Sequence, residues 1–196
     1  MRRLTRSALP LETVALARFL IGKLVVSEIG GIRTVGRIVE DEAYLTGDPA
    51  SHAFRGPTQR NRTMFARRGH AYVYLIYGMY WCLNVSAERP GIGEAVLIRA
   101  LEPLEGLAAM RRRRGGVSDR ELARGPGRVC EALGIDGSFD ATDLCAPRSP
   151  LRLGDDGTVC ALGVSTRIGL TRAAERELRF YARGSRFVSG ARRLSP

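Results

Sequence analysis

Glu40-Asp-Glu-Ala-Tyr44 sets three acids and a tyrosine within five residues. They close a segment, Ile32–Tyr44, whose Val, Ile and Thr content reads as a strand. Successive strand side chains alternate faces, so Glu40, Glu42 and Tyr44 share one side while Asp41 and Ala43 take the other. A carboxylate next to an aromatic ring can hold a flat ligand beside a general base or beside an anion that steadies positive charge. On their own, such acids more often mark a solvated strand edge. Asn84 and Arg99 are polar residues set inside strongly apolar segments. Buried polar groups need partners, so both are expected to face a cleft or each other.

The stretch around which the rest of the chain is organised is Ala71-Tyr-Val-Tyr-Leu-Ile-Tyr-Gly-Met-Tyr-Trp-Cys-Leu-Asn-Val85. It holds four of the six tyrosines and the only tryptophan. It reads as a hairpin, Tyr72–Tyr77 up and Tyr80–Val85 back, with Gly78-Met79 as a type II′ turn. Turn residues are usually polar, yet Tyr77, Met79 and Tyr80 crowd this bend. An apolar tip is either covered by the rest of the domain or is a wedge for a partner, and wedges that part base pairs have this composition.

A chain of 196 residues suits one domain, 1–196, that buries its own core. Thirty-one Lys and Arg against twenty Asp and Glu leave a charge of +11, which suggests a polyanionic partner, nucleic acid before anionic membrane. Lys23 is the only lysine. Cys82, Cys130, Cys145 and Cys160 form no C-x-x-C pair, and with His52 and His70 they give no zinc pattern, so no metal or cofactor is expected. No secretory leader is evident and no uncharged run approaches a membrane span, which points to a reducing cytoplasm.

Along the chain, residues 1–9 read as a poorly ordered basic start. Pro10 opens a helix ending at Gly22. Lys23–Ile29 and Ile32–Tyr44 are strands, and Thr46–Arg68 is a long loop of the kind usually functional or mobile. Ala95–Leu101 is a strand and Leu104–Arg113 a helix. Ser118-Asp-Arg-Glu121 is a capping box. Gly125-Pro-Gly-Arg128 opens a helix that stops at Gly134. Residues 136–157 are loops, and Val159–Ser165 and Leu178–Val188 are closing strands. The fold class expected is α+β: a single mixed domain with an antiparallel β core, flanking helices and a protruding hairpin.

These segments also match a known pattern in order. Glu40-Asp-Glu-Ala-Tyr44, His52, Pro57-x-x-Arg-Asn-x-x-Met-Phe65, Tyr72–Asn84 and Arg99-Ala-Leu-Glu-Pro-Leu-Glu105 come first. Gly125-Pro126, Arg167-Ile-Gly169 and Leu178-Arg-Phe-Tyr-x-Arg-Gly-Ser185 follow. Together, from about Leu16 to Ser189, they resemble the alkyladenine (3-methyladenine) DNA glycosylase family. Trp81 stands where that family more usually has phenylalanine. The resemblance implies an enzyme of base excision repair that flips damaged purines (3-methyladenine, 7-methylguanine, hypoxanthine, ethenoadenine) out of duplex DNA, a task that a monomer suits. Tyr77 would fill the vacated gap, and Met79 would lie in the minor groove. Tyr44, His52 and Tyr74 would line the base pocket, with Asn84 at its floor set against guanine. Glu42 would act as base for water, with Arg99 beside it and the Ile168 carbonyl completing the water site.

Arg60, Arg62, Arg67 and Arg68 flank this proposed pocket and are candidates for phosphate contact. The helix start at Gly125 could offer amides to a phosphate or be a plain cap. Glycosylases that also nick DNA usually attack with an amine. With Lys23 alone available, a monofunctional enzyme leaving an abasic site is expected. The alternatives are a non-catalytic basic protein that stacks its aromatics on nucleic acid, or an acyl or formyl transferase of related fold.

Overall fold

The computed structural model describes residues 1–190. In chain order its strands and α-helices are β1 (Arg2–Arg3), α1 (Thr13–Leu20), β2 (Leu24–Ile29), β3 (Ile32–Tyr44), β4 (Ala71–Ile76), β5 (Tyr80–Ser86) and β6 (Ala95–Glu105). There follow α2 (Leu107–Arg113), α3 (Pro126–Leu133), β7 (Leu151–Asp155), β8 (Leu162–Ser165) and β9 (Arg179–Ala182). The strands form one antiparallel sheet in the order β1-β7-β2-β3-β6-β5-β4, with β9 also on β3 and β8 on β9. The mixed fold is therefore as expected, with the antiparallel sheet at its centre.

Strand β3 organises the sheet. One edge pairs with β6 from Val35 to Tyr44. The other edge is shared: Ile32–Arg37 pair with β2, and Glu40–Glu42 pair with β9. Register shifts on either side of Glu40 mark the change of partner, as bulges do where a strand must re-aim its side chains. Glu40, Asp41 and Glu42 thus lie between two strands, and all three are fully buried. They are not a solvated edge.

Helix α1 begins at Thr13, not Pro10, because the Glu12 carboxylate caps it by accepting the Val14 and Ala15 N–H groups at 3.0 and 2.7 Å. Helix α3 takes Pro126 in its first turn and ends at Gly134 in the left-handed conformation, φ 73°. Leu16 and Leu20 of α1 and Val129 and Leu133 of α3 join Ile38, Val85 and Ile98 in one core. Burying each such side chain contributes roughly 1.5–3 kcal/mol.

Several expectations change. The basic start is placed: β1 pairs with β7, and Leu4 and Leu9 are buried in the core. Residues 136–157 contain β7, which bridges β1 and β2. Helix α2 starts three residues late, because Leu104 and Glu105 stay in β6, and Gly106 turns the chain at φ 75°. Ser118 makes no side-chain cap, and only a 3-10 turn, Asp119–Glu121, follows it. The closing strands β8 and β9 are shorter than predicted. The arginine run that ends α2 is tied internally: Arg111 pairs with Asp119, Arg113 reaches the Ala132 carbonyl, and Arg114 pairs with Glu131. Among the described residues no helix is long and apolar enough to cross a membrane.

The aromatic hairpin forms with a different turn. Ile76 pairs with Tyr80, so Tyr77, Gly78 and Met79 make the loop. Tyr77 and Gly78 both have positive φ, 54° and 69°, and the Met79 N–H reaches the Ile76 carbonyl at 3.2 Å. The glycine is therefore second of the two left-handed residues, where a type II′ turn would need it first. Tyr77 is 85% exposed and Met79 65%. The domain does not cover this tip.

Candidate active site

Glu42 is held on three sides. Arg99 Nη1 lies 3.2 Å from its Oε1, the Ile168 N–H donates to Oε1 at 2.8 Å, and the Tyr44 hydroxyl donates to Oε2 at 2.9 Å. The resemblance assigns the Ile168 carbonyl to the water site; the contact seen here is a different one, from the Ile168 amide N–H to the carboxylate. Glu42 contributes no surface of its own to the adjoining cavity, whereas Tyr44, Arg99 and Ile168 all line it.

Glu40 sits beside this arrangement and anchors it. Its carboxylate accepts from Arg99 Nε at 3.0 Å, Arg179 Nε at 2.7 Å, and the Ser189 N–H and hydroxyl at 2.6 and 2.8 Å. Burial pushes the Glu40 carboxyl up, but the charges of Arg99 and Arg179 outweigh it and hold it below the ordinary glutamate range. Burial likewise works against charge on Arg99, yet Glu42 and Glu40 keep its guanidinium above the ordinary arginine value. Arg99 thus bridges two carboxylates with its fork of donors, a role lysine could not fill with the same geometry.

Above this floor opens a cavity of about 660 Å³, within the range of small-ligand sites. Its walls are aromatic. Tyr72 and Tyr74 stack at 5.3 Å, and His52 meets Tyr74 edge-on at 4.5 Å. His52 Nδ1 shares a 2.9 Å hydrogen bond with the Tyr72 hydroxyl. Desolvation against these rings, with help from the Arg60 charge, holds His52 below the ordinary histidine range. Burial raises the phenols of Tyr44 and Tyr74, so both stay protonated. Asn84 lines the cavity with its Nδ2 tied to the Tyr72 carbonyl at 3.1 Å. Asn84 and Arg99 face a cleft, as expected of polar residues in apolar strands.

The rim joins the hairpin to α3. Tyr77 and Tyr80 line the cavity from one side, and Gly125, Pro126 and Gly127 from the other. A Cβ on Gly127 would come within 3.0 Å of the Tyr80 side chain, so glycine permits this close approach. Arg60 lies over the Tyr74 ring, 5.7 Å from its centroid, and donates to the Leu75 carbonyl. Arg62 and Arg67 are exposed. Arg68 turns to the Leu9 carbonyl and is not part of the cavity wall.

A model of the methylpurine-DNA glycosylase (MPG) family matches residues 7–186. The chain belongs to this family. A relative from Mesorhizobium japonicum is 59% identical over 192 residues, covering 97% of this chain and 92% of its own length. One from Paraburkholderia phytofirmans is 52% identical over 193 residues, covering 97% and 90%. One from Methanoculleus marisnigri is 48% identical over 185 residues, covering 91% and 94%. All three carry the description "Putative 3-methyladenine DNA glycosylase". The protein is thus a DNA glycosylase, a hydrolase of N-glycosyl bonds in DNA repair.

Other residues in and behind this glycosylase's cavity carry no role in the sequence reading. Tyr72 was read as a strand residue, yet it supports His52. Cys82 lines the wall, and burial raises its thiol above the ordinary range. Arg179 and Ser189 complete the Glu40 network from β9 and the segment after it. Asp48 and Arg167 form a fully buried ion pair behind Tyr44. Arg167 and Arg179 stood inside matched motifs, and a charged residue beside apolar neighbours was the available signal. Asp48 sits in a loop of polar residues and carried none.

Proposed function

We propose that this glycosylase turns an alkylated or deaminated purine nucleotide out of duplex DNA into the aromatic cavity and hydrolyses its N-glycosidic bond with water. The observation that carries this reading is the buried Glu42–Arg99 pair at the base of an aromatic-walled cavity, next to an exposed aromatic hairpin tip. Tyr77 is the side chain shaped to fill the gap left in the stack, with Met79 beside it in the minor groove. The extruded base is held by Tyr44, Tyr74 and His52. Stacking of about 1–3 kcal/mol per base tolerates many purines, in keeping with 3-methyladenine, 7-methylguanine, hypoxanthine and ethenoadenine as substrates. Asn84 at the wall disfavours the exocyclic amino group of normal guanine.

Breaking the glycosidic bond leaves positive charge on the sugar, and Glu42 is the anion near it. The same carboxylate serves as base for the attacking water. Water gains Glu42 Oε2 as the Tyr44 hydroxyl gives up its hydrogen bond there. The one lysine supports a monofunctional reaction, because Lys23 Nζ is held by Asp155 at 3.0 Å and is absent from the cavity wall.

Duplex oligonucleotides carrying one hypoxanthine or ethenoadenine, alongside methylated DNA, test this directly. Free base should be released, and strands should break only after hot alkali. Glu42→Gln should lower the single-turnover rate by about 100-fold or more while duplex affinity stays within about threefold. Strand breakage without alkali would contradict the monofunctional reading, and full activity in Glu42→Gln would remove Glu42 from the chemistry.

A further inference from the structure

We propose that Arg167 and Asp48 form a positioning pair that sets the Tyr44 ring and the Ile168 amide against Glu42. The inference rests on the reading of Glu42 and Tyr44 given above. Both side chains are completely buried. Arg167 Nη2 donates to Asp48 Oδ1 at 3.1 Å, and its Nη1 bonds Asp48 Oδ2. Nη1 also donates to the Ala43 carbonyl at 3.1 Å, and Nη2 to the Ala173 carbonyl at 3.4 Å. The guanidinium carbon stands 4.7 Å from the Tyr44 ring centroid. One side chain therefore braces the peptide between Glu42 and Tyr44, backs the Tyr44 ring and ties in the loop at Ala173. The next residue in its own chain, Ile168, donates its N–H to Glu42.

Two observations argue against a purely structural strut. Desolvating two charges is costly, and apolar residues of similar volume generally hold a fold as well or better. In addition, Arg167 Nε is buried without a hydrogen-bond partner. A side chain chosen only for stability would not forgo that bond. The orientation instead lays the guanidinium against Tyr44, where a planar cation fits and lysine does not. Asp48 is the carboxylate that holds this cation in place, and it also lies 3.8 Å from Arg176 Nη1.

The test removes the pair without stranding either charge. Arg167→Gln combined with Asp48→Asn is assayed on a hypoxanthine duplex for single-turnover rate constant, active fraction, duplex affinity and thermal melt. Small misplacement at a reacting centre lowers rates steeply, so the rate constant should fall by about 30- to 100-fold. Active fraction should be retained and affinity should stay within about threefold, because loss of folded protein would lower the fraction and leave the rate constant of the remainder unchanged. In a Tyr44→Ala background the same double change should have a smaller effect, since the part that acts through the ring is already lost and only the part through the Ile168 amide remains. A folded double variant with a rate constant within about threefold of the parent overturns the proposal. If the double variant does not fold, Arg167→Lys keeps the charge but not the flat contact, and an unchanged rate constant there overturns it equally. Glu42→Gln run in parallel separates the two readings. Activity surviving that change defeats the site assignment itself, whereas loss with Glu42→Gln and none with the pair removed defeats only this inference.

Discussion

Asp41 shows what a single alternation along a strand can cost. Its neighbours Glu40 and Glu42 turn toward arginines, and Asp41 turns the other way, fully buried, with neither carboxylate oxygen hydrogen-bonded. Burial first, and then the charges of Glu40 and Glu42, push its carboxyl well above the ordinary aspartate range. The unfolded chain ionises at the ordinary value and the folded protein only later. Stability from this group is therefore intact below the ordinary value and is lost as pH rises from there through the raised one. Asp41→Val replaces the orphaned carboxyl with a β-branched apolar side chain and should stabilise the protein at pH 7.5 by about 1–3 kcal/mol. The gap should narrow as pH falls toward about 4. Urea unfolding at several pH values measures it. A variant that is less stable than the parent at pH 7.5, with an unchanged pH slope, would show that Asp41 has a partner in solution.

The hairpin formed by β4 and β5 separates stability from function at the scale of an element. Tyr77 holds φ 54° at an exposed tip, a conformation that costs a non-glycine residue about 1–2 kcal/mol. The hairpin holds this turn through the Met79 N–H to Ile76 carbonyl bond and the Ile76–Tyr80 pairing, while the Tyr77 side chain stays exposed. Tyr77→Gly relaxes the turn and removes the wedge. Its melting temperature should equal or exceed the parent's, while single-turnover excision from a hypoxanthine duplex falls by about tenfold or more. A lowered melt with excision intact would make Tyr77 a folding residue only. Elements whose own pattern is strong were legible in the sequence: β3 has its predicted bounds, and the aromatic strands pair as expected. Elements that borrow stability from elsewhere were not. In β7, Gly154 and Asp155 are poor strand formers and depend on β1 and β2 for pairing. The N-terminal arginines became a strand because β7 offered an edge, and the helical spacing from Leu104 was overridden by β6 pairing with β3. The turn at Tyr77 was misread because a left-handed tyrosine has no sequence signature. Likewise Arg99 stood out as a polar residue in an apolar strand, Glu42 and Tyr44 took their roles from the resemblance, and Asp48 acquires meaning only once residue 167 is brought against it.

Across the whole molecule the arginines divide into those that build the fold and those left to meet DNA. Arg99, Arg167 and Arg179 are buried in the site. Arg33, Arg37 and Arg152 tie the strands together through Glu28, Glu105 and Asp156. Arg111 and Arg114 hold α2 to its neighbours. Those ion pairs are already cancelled in the net charge of +11, so the DNA-facing share depends on where the exposed arginines stand. If every excess charge met a phosphate, the logarithm of affinity against the logarithm of salt would fall with a slope of about −10. A footprint of about four phosphates, around Arg60, Arg62, Arg67 and the start of α3, gives a slope of about −4 instead. Fluorescence anisotropy on a lesion duplex between about 50 and 200 mM salt measures this slope. Arg62→Gln should make it shallower by about one unit, and Arg111→Gln, which loses only a contact to Asp119, should leave it unchanged. A parent slope near −10, or equal effects of the two substitutions, would mean that the protein meets DNA through its general charge. The slope separates these cases because counterions are released only where a side chain reaches a phosphate, so an excess charge that stands away from the duplex adds to the net charge without adding to the slope.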